Sequence, residues 1–276
     1  MKIEIFYDAV RTKTASFILI DEASNKCAVI DSVLDYDQNA GKTFTESADK
    51  IIDFIKKQNL ELEWILETHI HADHLTASHY IKSKLGGKTA MGENIKKVLE
   101  YWVPIFEEDI PIDGSQFDYL FKDGEEFKIG NLKAKVIFTA GHTPACASYY
   151  IEGCIFSGDT IFSYNVGTAR TDFPGGSSVE LYNSIQKLYK LLDETKLYVG
   201  HDYPQDTSKP VIETTIGEQK RRNILLNEKT TLEEFVEKRE ARQKSLPVPT
   251  LLFPALFVNL MAGRVPKFIK IPVNMI

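Results

Sequence analysis

Thr68-His69-Ile70-His71-Ala72-Asp73-His74 places three imidazoles and a carboxylate in one short stretch, directly after the apolar run Leu62 to Leu66. Two further histidines sit in Gly141-His142-Thr143-Pro144 and Gly200-His201-Asp202-Tyr203, and Gly158-Asp159-Thr160 between them adds a second carboxylate. Five of the six histidines thus fall into one pattern; His79 lies outside it and is assigned no function. A lone His-x-His is more often structural or accidental, but four separated motifs of this kind read as a metal site. Imidazole nitrogen and carboxylate oxygen suit zinc, iron or manganese. The lack of cysteine ligands argues against a closed structural zinc and for an open position that takes water or substrate.

Spacing carries a local expectation as well. His69 and His71 are two residues apart, which in extended backbone turns both side chains to one side. Asp73 and His74 are expected to open a helix running from Asp73 to Leu85; the bland reading of Asp73 is an N-cap for that helix, a role compatible with ligation. Every ligand candidate follows a short apolar strand, so the motif loops should gather at one edge of a sheet.

Working outward, Ala15 to Ile20 and Cys27 to Ile30 flank a polar turn and read as a hairpin ending at Asp31. Ser47 to Gln58 carries Ile51, Ile52, Phe54 and Ile55 at near-helical spacing. Short strands are expected within Leu120 to Phe138, then at Ala147 to Ile151, Cys154 to Ser157 and Leu197 to Val199. A helix is expected over Val179 to Leu192. From about Pro204 the texture changes: Glu213 to Glu240 is charged and helical in period, and proline punctuates Leu246 to Pro266. The division expected is a main domain over residues 1–204 and a helical and extended C-terminal appendage over 205–276 packed on it.

The chain has 276 residues, a size for one large domain or one domain with an appendage. A net charge of −6 argues against a general nucleic-acid binder, because phosphate backbones demand a basic face. The polar start Met1-Lys2-Ile3-Glu4 does not read as a signal peptide, and no apolar run reaches the ~20 residues that span a bilayer. Three cysteines without CxxC spacing fit reduced thiols. The expectation is a soluble, cytoplasmic protein without nucleic-acid or membrane partners.

The order His-x-His-x-Asp-His, Gly-His-Thr, Gly-Asp-Thr, Gly-His resembles the metallo-β-lactamase superfamily. The resemblance implies an α/β fold, a four-layer αββα sandwich with metal at one edge. In the two-metal hydrolases of the superfamily, positions matching His69, His71 and His142 bind one ion. Those matching Asp73, His74 and His201 bind the other, and the one matching Asp159 bridges them. All seven are retained, so ligand counting does not choose between one metal and two.

Gly167-Thr168-Ala169-Arg170-Thr171-Asp172-Phe173, with Glu67-Thr68 upstream and Asp202-Tyr203 downstream, resembles the persulfide dioxygenase branch. The likeness to the bacterial β-lactamase hydrolase-like subgroup is closer, extending through Glu213-Thr214-Thr215 to Val258-Asn259-Leu260 and so over nearly the whole chain. That branch implies one Fe(II) held by His69, His142 and Asp159. Its reaction oxidises a thiol persulfide, by default glutathione persulfide, with O2 to sulfite and the parent thiol. His71, Asp73, His74 and His201 would then orient ligands and water, and Arg170 and Tyr203 would act on the substrate. The bland alternatives are an ion pair of Arg170 with Asp172, a packed aromatic at Tyr203 and an inert buried thiol at Cys146. Ala145-Cys146 and the loop from Phe162 to Val166 depart from the human-type pattern on the substrate side.

The main rival is a thioester hydrolase like glyoxalase II with one or two zinc ions. A non-catalytic binding protein on the same scaffold is the minor one, and its signature, a lost ligand, is absent. A homodimer fits the family; the apolar stretch Leu251 to Val258 belongs either to such an interface or inside its own chain.

Overall fold

The computed structural model describes residues 1–204 and 209–274. The first half contains β1 (Lys2–Tyr7), β2 (Ala15–Asp21), β3 (Lys26–Ile30), β4 (Val33–Asp37), β5 (Lys42–Phe44), α1 (Glu46–Lys57) and β6 (Glu61–Leu66). It continues through β7 (Leu75–Thr76), α2 (Ser78–Leu85), β8 (Lys88–Gly92), α3 (Ile95–Phe106) and β9 (Tyr119–Phe121). The second half contains β10 (Glu126–Ile129), β11 (Leu132–Phe138), β12 (Ala147–Ile151), β13 (Cys154–Phe156), α4 (Ser178–Leu188), β14 (Lys196–Tyr198) and β15 (Glu213–Thr215). Three helices close the chain: α5 (Ile216–Arg222), α6 (Leu232–Gln243) and α7 (Leu252–Asn259).

Two six-stranded sheets result, in the orders β1-β2-β3-β6-β8-β9 and β10-β11-β12-β13-β14-β15. One buried cluster joins Phe17, Leu19 and Ile30 of the first sheet to Val136, Tyr149 and Phe156 of the second, so the sheets pack face to face. The other face of the first sheet (Ile18, Ile20, Val29, Ile65) buries Ile51 and Ile55 of α1, Ile81 of α2 and Val258 of α7. Leu181, Ile185, Ile216 and Phe235 bring α4, α5 and α6 against the second sheet. These are the four layers of an αββα sandwich.

Strand direction places the site. β11 and β12, then β12 and β13, pair antiparallel, while β13 and β14 pair parallel. β11, β13 and β14 therefore run the same way and deliver residues 139–146, 157–161 and 199–204 to one edge. β6, parallel to β3 and β8, delivers residues 67–74 to the corresponding edge of the first sheet. The amide of Ala147 donates to Thr68 O (2.9 Å) and that of Ala15 to Gly200 O (2.8 Å), tying these loops together.

Some expectations need correction. No helix starts at Asp73. Residues 75–76 pair with β4, and the Thr76 amide donates to Asn259 Oδ1, so the chain stays extended until Ser78 begins α2. Asp73 is accordingly not an N-cap. The helix expected over Val179 to Leu192 begins one residue early, with Ser177 accepting from the Glu180 amide, and ends at Leu188. The charged stretch after Glu213 is divided into β15, α5 and α6, the last opened by a capping box between Thr231 and Glu234. β15 pairs with β14 and supplies the sixth strand of the second sheet. The expected boundary at 204/205 adjoins residues 205–208, which lie outside the described residues. Leu252, Leu256, Phe257 and Val258 are buried within their own chain, so they are not available to an interface.

Candidate metal centre

All seven predicted ligand residues meet at the shared edge. One ligand atom each from His69, His142 and Asp159 lies within 4.8 Å of the others, and the same holds for His71, Asp73 and His74. His201 joins the groups: its Nε2 is 3.4 Å from Asp73 Oδ2 and 3.5 Å from Asp159 Oδ1. The loop around His69 is irregular, yet His69 and His71 do face one region, with ring centroids 4.2 Å apart.

Outer hydrogen bonds decide which nitrogen of each imidazole carries the lone pair. Asp31, buried at the end of the first hairpin, accepts from the Thr68 amide and from Thr68 Oγ1, both at 2.7 Å. Because that hydroxyl has donated its proton, it accepts from His69 Nδ1 (3.0 Å). His71 Nε2 donates to Asp31 Oδ1 (3.2 Å) and Glu67 Oε2 (3.1 Å). Carbonyl oxygens can only accept, so His142 Nδ1 donates to Arg170 O (2.7 Å) and His201 Nδ1 to Lys13 O (3.0 Å). His74 Nδ1 faces Asp73 Oδ2 at 3.1 Å.

The inner nitrogens are left as acceptors without a donor. His69 Nε2, His71 Nδ1 and His74 Nε2 are buried and have no hydrogen-bond partner. Three such orphans in one cluster are costly in a folded protein. Metal ions in the two groups would satisfy them, one taking His69 with His142 and Asp159 and another taking His71 and His74 with Asp73, and outer partners that orient imidazoles are the usual support for such ions. The donor set fits a metal on this observation.

Electrostatics agree with the hydrogen bonding at His69 and His142, whereas at His71 they favour the protonated ring. Burial, reinforced by the His71 and His142 rings, keeps the His69 imidazole well below its ordinary pKa and so neutral. Burial also lowers His142. For His71 burial acts downward, but the Asp31 and Glu67 carboxylates outweigh it and hold the ring well above its usual value.

Two glycines before the ligands are required by close approach. Gly158 has φ +48°, and a Cβ there would run into the Thr68 hydroxyl that orients His69. A Cβ on Gly200 would lie 2.8 Å from Asp159 Oδ1.

A cavity of about 850 Å³ opens onto His142, Asp159 and His201 and is walled by Arg170, Phe173, Tyr203 and residues of α6. Arg170 makes the ion pair foreseen with Asp172, through Nε (2.6 Å) and Nη2 (2.8 Å), while also lining the cavity. Tyr203 is not a buried packing aromatic: it is 49% exposed and stacks on the His201 ring at 5.8 Å. Cys146 is buried, and burial pushes its thiol up to about 12.

Several contributors had no role assigned from sequence. Asp31, Glu67 and Thr68 orient His69 and His71. Asn259 Nδ2 donates to His71 O and His74 O, both at 2.9 Å, across 188 and 185 residues. The only sequence signal for Asp31 was an acid closing an apolar strand; for Asn259 there was none beyond the family-like tail.

Among the described residues no helix is long and apolar enough to cross a membrane. The model of the metallo-β-lactamase superfamily matches residues 11–201. The chain is 48% identical to glyoxylase B2 of Dictyostelium discoideum over 99% of this chain and 97% of that one. It is 43% identical to the β-lactamase hydrolase-like protein of Xylella fastidiosa over 98% of this chain, and it spans only 64% of that relative's length. It is 28% identical to the human mitochondrial persulfide dioxygenase ETHE1 over 91% of this chain and 84% of that one. The crystal structure of ETHE1 from Myxococcus xanthus superposes with a TM-score of 0.77 at 28% identity, covering 96% of this chain and 100% of that one. With the two stacked sheets, the edge cluster and this match in hand, the chain belongs to the metallo-β-lactamase superfamily.

Proposed function

We propose that the protein is a persulfide dioxygenase: R–S–SH + O2 + H2O gives R–SH and sulfite with two protons. The observation that carries this reading is the compact His69, His142 and Asp159 group, two of whose members line the large cavity. Two histidines and one carboxylate on one side of an ion are the donor set of non-haem iron oxygenases, with positions left open. One ferrous ion held there would supply the redox reactivity toward dioxygen that no side chain possesses. The likeness to ETHE1 proteins in sequence and in fold supports the same reading.

The chain's own residues have distinct tasks in it. Phe162, Phe173 and Val166 make the cavity wall apolar and limit water around the reacting sulfur. Arg170, held in place by Asp172 and Pro247 O, presents a fixed guanidinium edge to the substrate. In this reading the hydroxyl of Tyr203, which lines the cavity and stacks on His201, hydrogen-bonds the substrate or water. His71, Asp73, His74 and His201 orient the ligands and hold the water that hydrolysis consumes. The thiol carrier proposed is glutathione, and the compartment proposed is the cytoplasm.

A second reading has its own support. The gathering of His71, Asp73, His74 and His201 beside the first group would also serve a two-zinc thioester hydrolase. Identity to a protein named glyoxylase B2 points the same way. Metal content of protein made without added metal, paired with oxygen uptake on glutathione persulfide, separates the two. About one iron per chain with sulfite formation supports the dioxygenase. Two zinc ions, no oxygen uptake and rapid thioester cleavage refute it. Replacement His74→Ala should spare the iron of a dioxygenase and remove the second ion of a hydrolase.

A further inference from the structure

β1 is the outermost strand of the first sheet, and its six residues run in continuous register with β2, without a bulge. The Asp8 amide donates to Thr14 O at 2.9 Å, while the Ala15 amide turns away to Gly200 O. Bonded and non-bonded pairs alternate in an antiparallel ladder, so Phe6, Glu4 and Lys2 exchange their bonds with β2. The main-chain groups of Ile3 and Ile5 therefore point off the edge of the sheet, and among the described residues they have no hydrogen-bond partner. The other outer strands offer less. β9 and β15 have three residues each. On β10, Lys128 O accepts from Trp64 Nε1 (2.9 Å), and the Gly130 amide just beyond donates to Glu63 Oε2 (2.6 Å).

A free edge is a template for another strand, and proteins usually blunt one with proline, a bulge or an unmatched charge. β1 has no proline and no bulge, and its side chains are self-complementary. Lys2 and Glu4 share the face of Phe6, while Ile3, on the opposite face, is flanked by Met1 and Ile5, each 39% exposed. A second copy laid antiparallel, with the two-fold axis at Ile3, sets Lys2 opposite Glu4 of that copy and Met1 opposite its Ile5. The same register meets the free amides and carbonyls of Ile3 and Ile5. Moving the axis to Glu4 would place two carboxylates opposite each other. Moving it to Ile5 would set Lys2 opposite Asp8, whose carboxylate already accepts from the amides of Val10, Arg11 and Thr12. Within one chain Lys2 Nζ is 4.0 Å from Glu4 at exposed positions, a pair weak enough to yield to cross-strand ones.

We propose that β1 pairs with β1 of a second copy, antiparallel about Ile3, so that the first sheets of two chains continue into one another across a homodimer. Free main-chain groups, opposite charges and exposed apolar ends are all met by one symmetry operation, as a self-complementary interface requires. The pairing keeps clear of the metal centre, which lies toward the other end of β1, where Tyr7 Oη donates to Asp202 O at 2.7 Å. It holds whichever reaction the centre performs.

Sedimentation velocity of the full chain from about 1 to 100 µM tests the pairing, because an interface at the small end of the size range dissociates on that scale. The weight-average mass should rise from monomer to dimer across the series. Lys2→Glu or Glu4→Lys sets like charges opposite each other twice per dimer and should weaken association at least ~5-fold. Both replacements in one chain should restore association to within about 2-fold of the parent, the signature of a direct pair. Ile3→Pro removes an outward amide, a change that an edge strand tolerates, and should leave a folded monomer. If circular dichroism shows that variant unfolded, the charge series decides. A parent that stays monomeric throughout overturns the proposal. So does a dimer indifferent to the single charge reversals, or one that the double reversal fails to restore.

Discussion

Replacing Asn259 by leucine removes one side chain that holds the ligand loop from three sides. Asn259 is 1% exposed, accepts from the Thr76 amide at 2.8 Å and donates to the carbonyls of His71 and His74 at 2.9 Å each. Leucine has a similar size, so the change is in polarity more than in volume. Each buried backbone group left without its partner costs about 1–3 kcal/mol. Three of them, not fully additive, amount to about 3–6 kcal/mol. With a urea m-value of about 3 kcal/mol/M, the unfolding midpoint should fall by about 1–2 M at constant m. Because the loop so released is the one that carries His69, metal affinity by competition with a chelator should also fall, by about 10–100-fold. A midpoint shift below about 0.3 M with unaltered metal affinity would show that Asn259 merely packs, and the reasoning would be refuted.

Other expectations follow from the same geometry. Thr68→Val deletes the hydroxyl between Asp31 and His69 Nδ1, so His69 loses its fixed tautomer; metal affinity should drop about 10–100-fold with the circular dichroism spectrum retained, and unchanged affinity would contradict the role. Gly158→Ala forces a Cβ at positive φ against Thr68 and should reduce both thermal stability and metal content; full metal loading at unchanged Tm would count against it. All three cysteines are buried, and burial pushes the Cys146 thiol up to about 12, so native protein at pH 8 should titrate no fast-reacting thiol and denatured protein three. A fast native thiol at Cys146, located by peptide mapping, would reopen a reactive role for it.

Legibility differed between elements for physical reasons. Helix α1 was readable because it buries one face and its period follows that burial, and the hairpin over Ala15 to Ile30 because both its faces are buried, which writes it as two unbroken apolar runs around a polar turn. The charged stretch after Glu213 kept a helical period, yet three of its residues became an edge strand because β14 offered an open ladder. Asp73 to Thr76 resembled a helix start, but pairing with β4 and capture by Asn259 held it extended. Such competition comes from residues distant in sequence, which local propensity does not see.

At the site, the sequence alone named the candidate donors: His69, His71, Asp73, His74, His142, Asp159 and His201 are visible because metal chemistry restricts residue type. It also bounded the chemistry to nitrogen and oxygen ligation with an open position. Only the tertiary structure decided which nitrogen of each imidazole faces inward, since that depends on Asp31, Glu67, Lys13 O and Arg170 O, brought in by folding. It also decided that the C-terminal segment belongs to the site, because α6 walls the cavity and α7 holds the ligand loop. Ligand identity is written in side-chain type; orientation and the surrounding field are set by contacts that exist only once the two sheets have closed on each other.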